Sequence, residues 1–413
     1  MRFSDLNKKI DKKPILPKKE EISNSNKDLK KKENDLPKIE EVNEKKQESN
    51  IKPNSLTKKE GEENKDIKKN PIDEKRDIRF SIQRKVEEKS IEFNEEIYLK
   101  RSESSYSIMI SSMKNIIESL ADLSYVTAFR EIEILSDLIL KEVSENRYIL
   151  NFIKYLTPRN YIISHSLNLS IIVAGIANQM GIDIETTRKL VISSLCIDFG
   201  MLNYKDVFLL ERKLQREEFE IIKSHINDGL QYADKIFAFE IDLKNFVRNV
   251  IKNSHERYDG SGYFGLKGDE LDIRHQIVAI ADVYEAMIHK RPWRDAYEEP
   301  YVVSFIIKEY SNKFERNSIK GFLRFICLYP ESSIVKLSTG EIARVILNRP
   351  ESPTRAIVKV IMDENFREIE PYKIDLFEFP LTHIDSWVSL KEMKMKNPDF
   401  YRRENLERLW LEF

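Results

Sequence analysis

From Ser105 to Lys290 the chain keeps returning apolar residues at spacings of three and four. That rhythm runs through "YSIMISSMKNIIESLADLSYVTAFREIEILSDLILKEVSENRYILNFIKYL", "NYIISHSLNLSIIVAGIANQMGI", "IETTRKLVISSLCI", "QREEFEIIKSHINDGLQYADKI", "LKNFVRNVIKNS" and "IRHQIVAIADVYEAMIHK". It is the rhythm of helices that each bury one face. Beyond Tyr329 the period changes to two. "SIVKLSTGEIARVILN" places two β-rich runs around Ser338-Thr339-Gly340, and "TRAIVKVIMDENFREI" turns at Asp363-Glu364-Asn365. Both read as hairpins. The expected fold is mainly α, a helical bundle with an N-terminal helical segment and a small C-terminal β module.

The expected organisation follows the same changes of pattern. Residues 1–80 form a charged tail in which Phe3 is the only aromatic before Phe80. Such a segment buries too little apolar area to offset its ordering entropy, so disorder is expected. It serves as a solvated extension or as a partner-binding tail. A helical segment follows at 81–145, the main helical domain at 146–325, the β module at 326–385 and a charged helix at 386–413.

Charged residues make up 34% of the chain, yet the net charge is -1. That balance argues against steering of the whole protein onto nucleic acid or an anionic membrane. Cys196 and Cys327 form no CxxC pair, which suits a reducing compartment. No apolar run follows the first charges, and no stretch matches the roughly 18 consecutive apolar residues of a membrane span. The expectation is a cytoplasmic protein with no nucleic-acid partner and no membrane span.

Five residues stand out chemically: His165, Asp198, His225, His255 and Asp282. Taken singly, each histidine is explained by a hydrogen-bonded core position, and each acid by a cap or an ion pair. Asp282 fits this poorly, because it falls mid-helix among Ile, Val and Ala, where no cap is needed. A buried carboxylate without compensation is costly, and a cation offsets it. Mixed imidazole and carboxylate donors suit first-row divalent ions such as Mn, Fe or Zn.

"SHERYDGSGYFGLKGDELDIRHQIVAIADVYEAMIHKRPWRDA" resembles the signature region of the HD-GYP family. The resemblance also takes in "HSLNLS", "IDFG" and "EEFEIIKSHINDG", and reaches the β module through "YPESSIVKLSTGEIARV" and "YKIDLF". It covers roughly residues 140 to 385 and implies an HD-type helical bundle. HD-GYP proteins are metal-dependent phosphodiesterases that open cyclic di-GMP to pGpG or GMP. By this resemblance His165, Asp198 and Asp282 face one metal. Asp198, His225 and His255 face a second, with Asp198 bridging as the catalytic centre. At most two divalent ions are expected, Mn or Fe. Arg291 and Arg294 match phosphate-contacting cations, since arginine forks suit phosphate oxygens. For Arg291 a surface ion pair with Asp295 or Glu299 is the plainer alternative. Asp259, Gly260, Gly262 and Tyr263 preserve the loop that names the family and are expected at the substrate.

The departures are specific. Ile197 stands where the family has the histidine of its His-Asp pair. Ser254 replaces one of two adjacent histidines, Met201 replaces a lysine, and Phe264 replaces a proline. Tyr161 stands where some members carry a Glu that recruits a third metal. Two readings follow. One is a cyclic di-GMP phosphodiesterase with an altered metal site. The other is a degenerate member that binds the dinucleotide, or a signalling protein through the loop from Asp259 to Leu271. A third reading is an oligomerising scaffold, with the helices from Ser105 to Tyr155 as a homodimer interface.

Overall fold

The computed structural model describes residues 95–153, 161–208, 210, 212–291 and 294–404. The charged tail expected at 1–80 lies outside the described residues. The first two helices, α1 (Glu95–Ala121) and α2 (Tyr125–Glu145), form a hairpin joined at Leu123, whose φ is +57°. A buried polar network locks them together. Glu142 of α2 accepts from Ser102 at 3.2 Å and Ser105 at 3.1 Å on α1, and from Asn146 at 2.9 Å.

Helix α3 (Tyr161–Gln179) is the centre of the helical body, and every residue from Ile162 to Ala177 is buried. An all-round apolar helix must be covered on every side. Here α1, α2, α4 (Ile184–Cys196), α9 (Ile273–Ile288) and α11 (Arg316–Ile326) provide the cover. By length and composition α3 would suffice to cross a membrane, but 89% of that apolar window is buried inside the protein. Gly175 is required, because a Cβ there would sit 2.0 Å from the Phe325 ring of α11. Two buried polar residues of α3 find partners: Asn168 accepts from Tyr106 at 2.7 Å, and Ser170 donates to the Ser166 carbonyl at 2.7 Å.

The remaining helices are α5 (Lys205–Phe208), α6 (Arg216–Lys223), α7 (His225–Ile236), α8 (Ile241–Asn253) and α10 (Glu299–Glu309). The single helical rhythm across "QREEFEIIKSHINDGLQYADKI" is divided at Ser224, so His225 opens a helix of its own.

The β module is a five-stranded sheet of β1 (Ile334–Leu337), β2 (Ile342–Leu347), β3 (Ile357–Met362), β4 (Glu368–Asp375) and β5 (Ile384–Trp387). Its order is β4-β3-β2-β1-β5, and neighbouring strands are antiparallel. The two expected hairpins are β1–β2 and β3–β4. The fifth strand has no counterpart in the hydrophobic pattern, since Asp385 and Ser386 fill the middle of its four residues. One sheet face packs Val335, Val345, Val358 and Ile374 together. The other packs Ile334, Ile342 and Ile361 under Met393, Phe400 and Tyr401. Those last three belong to two short helices, α12 (Leu390–Lys396) and α13 (Pro398–Arg403), where one helix was expected. The Asn397 side chain caps Phe400 N at 3.0 Å, and Pro398 pre-sets the first turn of α13. Arg147 to Glu331 at 2.7 Å, Ser332 to Asn151 at 2.7 Å and Leu390 N to Glu298 at 3.0 Å tie the module to the helical body.

Candidate metal centre

Five separate segments deliver the five residues singled out in the sequence. His165 comes from α3 and Asp282 from α9. Asp198 follows the end of α4, His225 is the first residue of α7, and His255 follows the end of α8. Their side chains close a ring. His165 Nε2 lies 3.4 Å from Asp198 Oδ2 and 3.6 Å from Asp282 Oδ1. The other Asp198 oxygen lies 3.7 Å from His225 Nε2. His225 Nε2 lies 3.3 Å from His255 Nε2, and His255 Nδ1 lies 3.5 Å from the second Asp282 oxygen. Each carboxylate thus presents its two oxygens to two different imidazoles.

Gly200 makes this closure possible. A Cβ at Gly200 would sit 1.9 Å from the His225 carbonyl oxygen, so only glycine lets the start of α7 approach the turn after Asp198. A carboxylate at the C-terminal end of a helix is opposed by the helix dipole. At Asp198 the two facing imidazoles counter that penalty.

The protonation pattern suits cation binding. Burial pushes the His225 imidazole below its ordinary value, so it is neutral. Its Nδ1 donates to the Ile222 carbonyl at 2.5 Å, which turns the Nε2 lone pair toward Asp198. At Asp282 burial would raise the carboxyl, but His255, His165 and Arg257 bring it down to about 2. At His165 burial would lower the imidazole, but Glu285, Asp198 and Asp282 lift it to about 9. The three surrounding acids thus draw positive charge to this position. Asp198, His225 and His255 have donor atoms within 4.8 Å of one another and could hold one divalent cation. His165, with the facing oxygens of Asp198 and Asp282, offers a second donor set. Three imidazoles and two carboxylates fit a first-row divalent ion.

Of the five departures, Ile197, Met201 and Ser254 contribute no donor. Ile197 is buried in the core, and Met201 packs with Ile162 and Ile222. Ser254 is buried and donates to the Ile251 carbonyl at 3.0 Å.

The loop residues divide by role. Tyr263 lies beside the ring, with 4.8 Å between its centroid and that of His255. Asp259, Gly260 and Gly262 build the loop itself. Asp259 accepts from Ser261 N at 3.0 Å and pairs with Lys313 at 3.4 Å. Gly260 has φ +79°, a region that favours glycine. A Cβ on Gly262 would sit 2.4 Å from Glu256 Cα. The buried Glu256 carboxylate then accepts from Phe264 N at 2.6 Å and Leu266 N at 2.9 Å, pinning the loop from inside.

The two arginines also part. Arg294 donates to the carbonyls of Ala286 at 2.7 Å, Met287 at 3.2 Å and Asp295 at 2.7 Å, so its fork closes the C-terminal end of α9. Arg291 does not pair with Asp295, which lies 3.9 Å from Lys290. Its guanidinium sits 4.1 Å from the Tyr161 ring centroid and 3.7 Å from Glu285, at the edge of the ring of donors. Glu285, Glu256 and Lys313 are functional or framework residues that sequence reasoning missed. Two of them left a signal: Glu256 directly follows His255 in the signature stretch, and Glu285 is an acid three residues after Asp282 on the same helix.

The HD domain family matches residues 149–317, and the KOW domain associated with HD domain matches residues 334–396. A cyclic di-GMP phosphodiesterase of Pseudomonas aeruginosa is 23% identical over 231 residues, covering 55% of this chain and 54% of that protein. The cyclic di-GMP phosphodiesterase PdeB of Borreliella burgdorferi is 27% identical over 222 residues, covering 51% and 56%. The 3'3'-cGAMP-specific phosphodiesterase 1 of Vibrio cholerae is 30% identical over 149 residues, covering 36% and 33%. The chain spans about half the length of the first two relatives and a third of the last. Residues 149–317 are matched as an HD domain, and together with the curated relatives this match supports an HD-GYP family member.

Proposed function

We propose that the chain is a metal-dependent phosphodiesterase that opens cyclic di-GMP at a centre built on His165, Asp198, His225, His255 and Asp282. The observation that carries this reading is the closed ring, in which both carboxylates bridge imidazoles although two histidines of the family pattern are gone. Divalent ions, Mn or Fe in this donor set, would lower the pKa of a water and offset phosphate charge. The chain's own residues do the rest. Neutral His225 supplies a lone pair, His165 supplies another from Nε2 once a cation displaces its proton, Asp198 and Asp282 supply charge, and Arg291 stands at the edge to meet a phosphate oxygen. Tyr263 walls the His255 side. In the reaction water adds across one P–O3′ bond. Its oxygen joins phosphorus, the bond to the 3′ oxygen breaks, the 3′ oxygen leaves with one proton and the other proton passes to solvent. The product is pGpG, and a second addition gives GMP.

A second reading is a dinucleotide receptor without turnover. The burial of Ile197, Ser254 and Met201 as core residues favours it. One experiment separates the two. Purified protein is incubated with cyclic di-GMP, and separately with 3'3'-cGAMP, in the presence of Mn(II) or Fe(II), with Asp198→Ala as control. Linear product that disappears in the control supports the enzyme. Dinucleotide binding with no product rejects it in favour of the receptor.

A further inference from the structure

Glu285 is fully buried in α9, one turn beyond Asp282, and the roles discussed so far leave it unused. Three groups converge on its carboxylate. His165 Nδ1 is hydrogen-bonded to Oε2. His289 Nδ1 lies 2.8 Å from Oε1. Arg291 Nη2 lies 3.7 Å from Oε2.

A carboxylate oxygen accepts from an imidazole N–H. With Nδ1 engaged by Glu285, Nε2 is the nitrogen left for the centre. Nε2 is the atom that faces Asp198 and Asp282. His289 presses the carboxylate from the opposite side. Its Nδ1 donates to the Glu285 carbonyl at 2.9 Å, so its contact with Oε1 is one of close packing and not a hydrogen bond, and the side chain is completely buried. The contacts run on into a loop. Arg291 stacks on Tyr161 at 4.1 Å, and the Tyr161 ring stacks on the His165 ring at 5.1 Å between centroids and 20° between planes. His165, Glu285, Arg291 and Tyr161 form a closed circuit, with His289 bracing the carboxylate.

We infer that Glu285 is the positioning residue of the centre. It fixes His165 with Nε2 turned inward and holds Arg291 at the same edge, while His289 keeps the carboxylate in place. The inference rests on the metal-centre reading above. Carboxylates that accept from the outer nitrogen of a ligating histidine set its tautomer and raise its basicity, and their loss costs roughly 10–100-fold in metal affinity. Glu285 would act in that way here without touching the ion.

The test is a Co(II) titration of the full-length chain, read by d–d absorption, with the thermal midpoint of the metal-free protein measured in parallel. Wild type is expected to bind Co(II). Glu285→Gln keeps the shape but removes the charge, and Co(II) affinity should fall by roughly 10–100-fold with a changed absorption spectrum. Glu285→Asp keeps the charge and should recover most of the affinity, a rescue that a space-filling role would not give. Where Glu285→Gln does not fold, His289→Asn replaces it in the test. That change leaves Glu285 and His165 in contact and should lower affinity by a smaller factor. Wild-type affinity and spectrum in Glu285→Gln, or in His289→Asn when it stands in, would overturn the positioning role and leave the metal centre intact. Absence of Co(II) binding by wild type would overturn both.

Discussion

Gly200 and His225 approach so closely that a Cβ on the glycine would lie 1.9 Å from the histidine's carbonyl oxygen. That single contact sets the spacing between Asp198, two residues upstream of Gly200, and the imidazole of His225. Gly200→Ala must push α7 away from the turn. Forced overpacking of a buried site costs about 1–3 kcal/mol or more. A lower urea midpoint together with weakened Mn(II) binding is expected, and an unchanged midpoint would contradict the close approach.

Reinstating the two missing imidazoles is a constructive test. Ile197 and Ser254 are both buried, so Ile197→His with Ser254→His places polar groups in the core of the metal-free protein. A buried polar group without a partner costs roughly 1–3 kcal/mol. The double variant should melt lower than wild type when metal-free and regain more stability on adding Mn(II), with higher metal occupancy. Thermal melts with and without Mn(II) check this. A variant whose metal response equals that of wild type would mean that neither new imidazole reaches the centre.

Glu298 makes stability depend on pH. Burial raises its carboxyl to about 7, against an opposing hydrogen bond from Leu390 N. Its folded value lies above its unfolded one, so the stabilisation is complete below the unfolded value of 4.5 and is lost as pH rises through about 7. The loss is on the order of 1–3 kcal/mol. Glu298→Gln should flatten this decline in chemical denaturation between pH 5 and pH 8. An unaltered slope would remove Glu298 as its source.

Glu331 joins the β module to the helical body. It pairs with Arg147 at 2.7 Å and accepts from Asn348 N at 3.3 Å while almost wholly buried. Removing one partner of a buried ion pair strands the other, at a cost of about 3 kcal/mol. Glu331→Ala should lower the unfolding free energy by that order, and Arg147→Met with Glu331→Leu should recover part of it. Equal losses in the single and double variants would contradict the pairing.

The helical body and both hairpins were legible in the sequence because burial on one face leaves a periodic trace. The break at Ser224 was not, since the apolar rhythm runs on through it and Ser224 itself keeps helical-region backbone angles, φ -67° and ψ -15°. β5 was hidden for the opposite reason, a four-residue edge strand with two polar residues inside. The five ring residues were legible through their motif. Their bracing was not. Glu285 shows only as an acid three residues after Asp282, which does not tell that it faces His165. The partner that fixes Asp259 is Lys313, 54 positions away, and no spacing rule connects such residues. Arg294 shows the limit of reading charge alone, because its guanidinium closes a helix end that the sequence does not mark.

The central claim is that the ring of five is a metal centre in which Asp198 serves two imidazoles. Isothermal titration of the full-length wild type and Asp198→Ala with Mn(II) tests it most directly, with metal content of the dialysed proteins measured alongside. The account predicts saturable binding to wild type and none to Asp198→Ala, with the variant still folded by circular dichroism. Equal Mn(II) binding by a folded Asp198→Ala protein, or none by wild type, would contradict it.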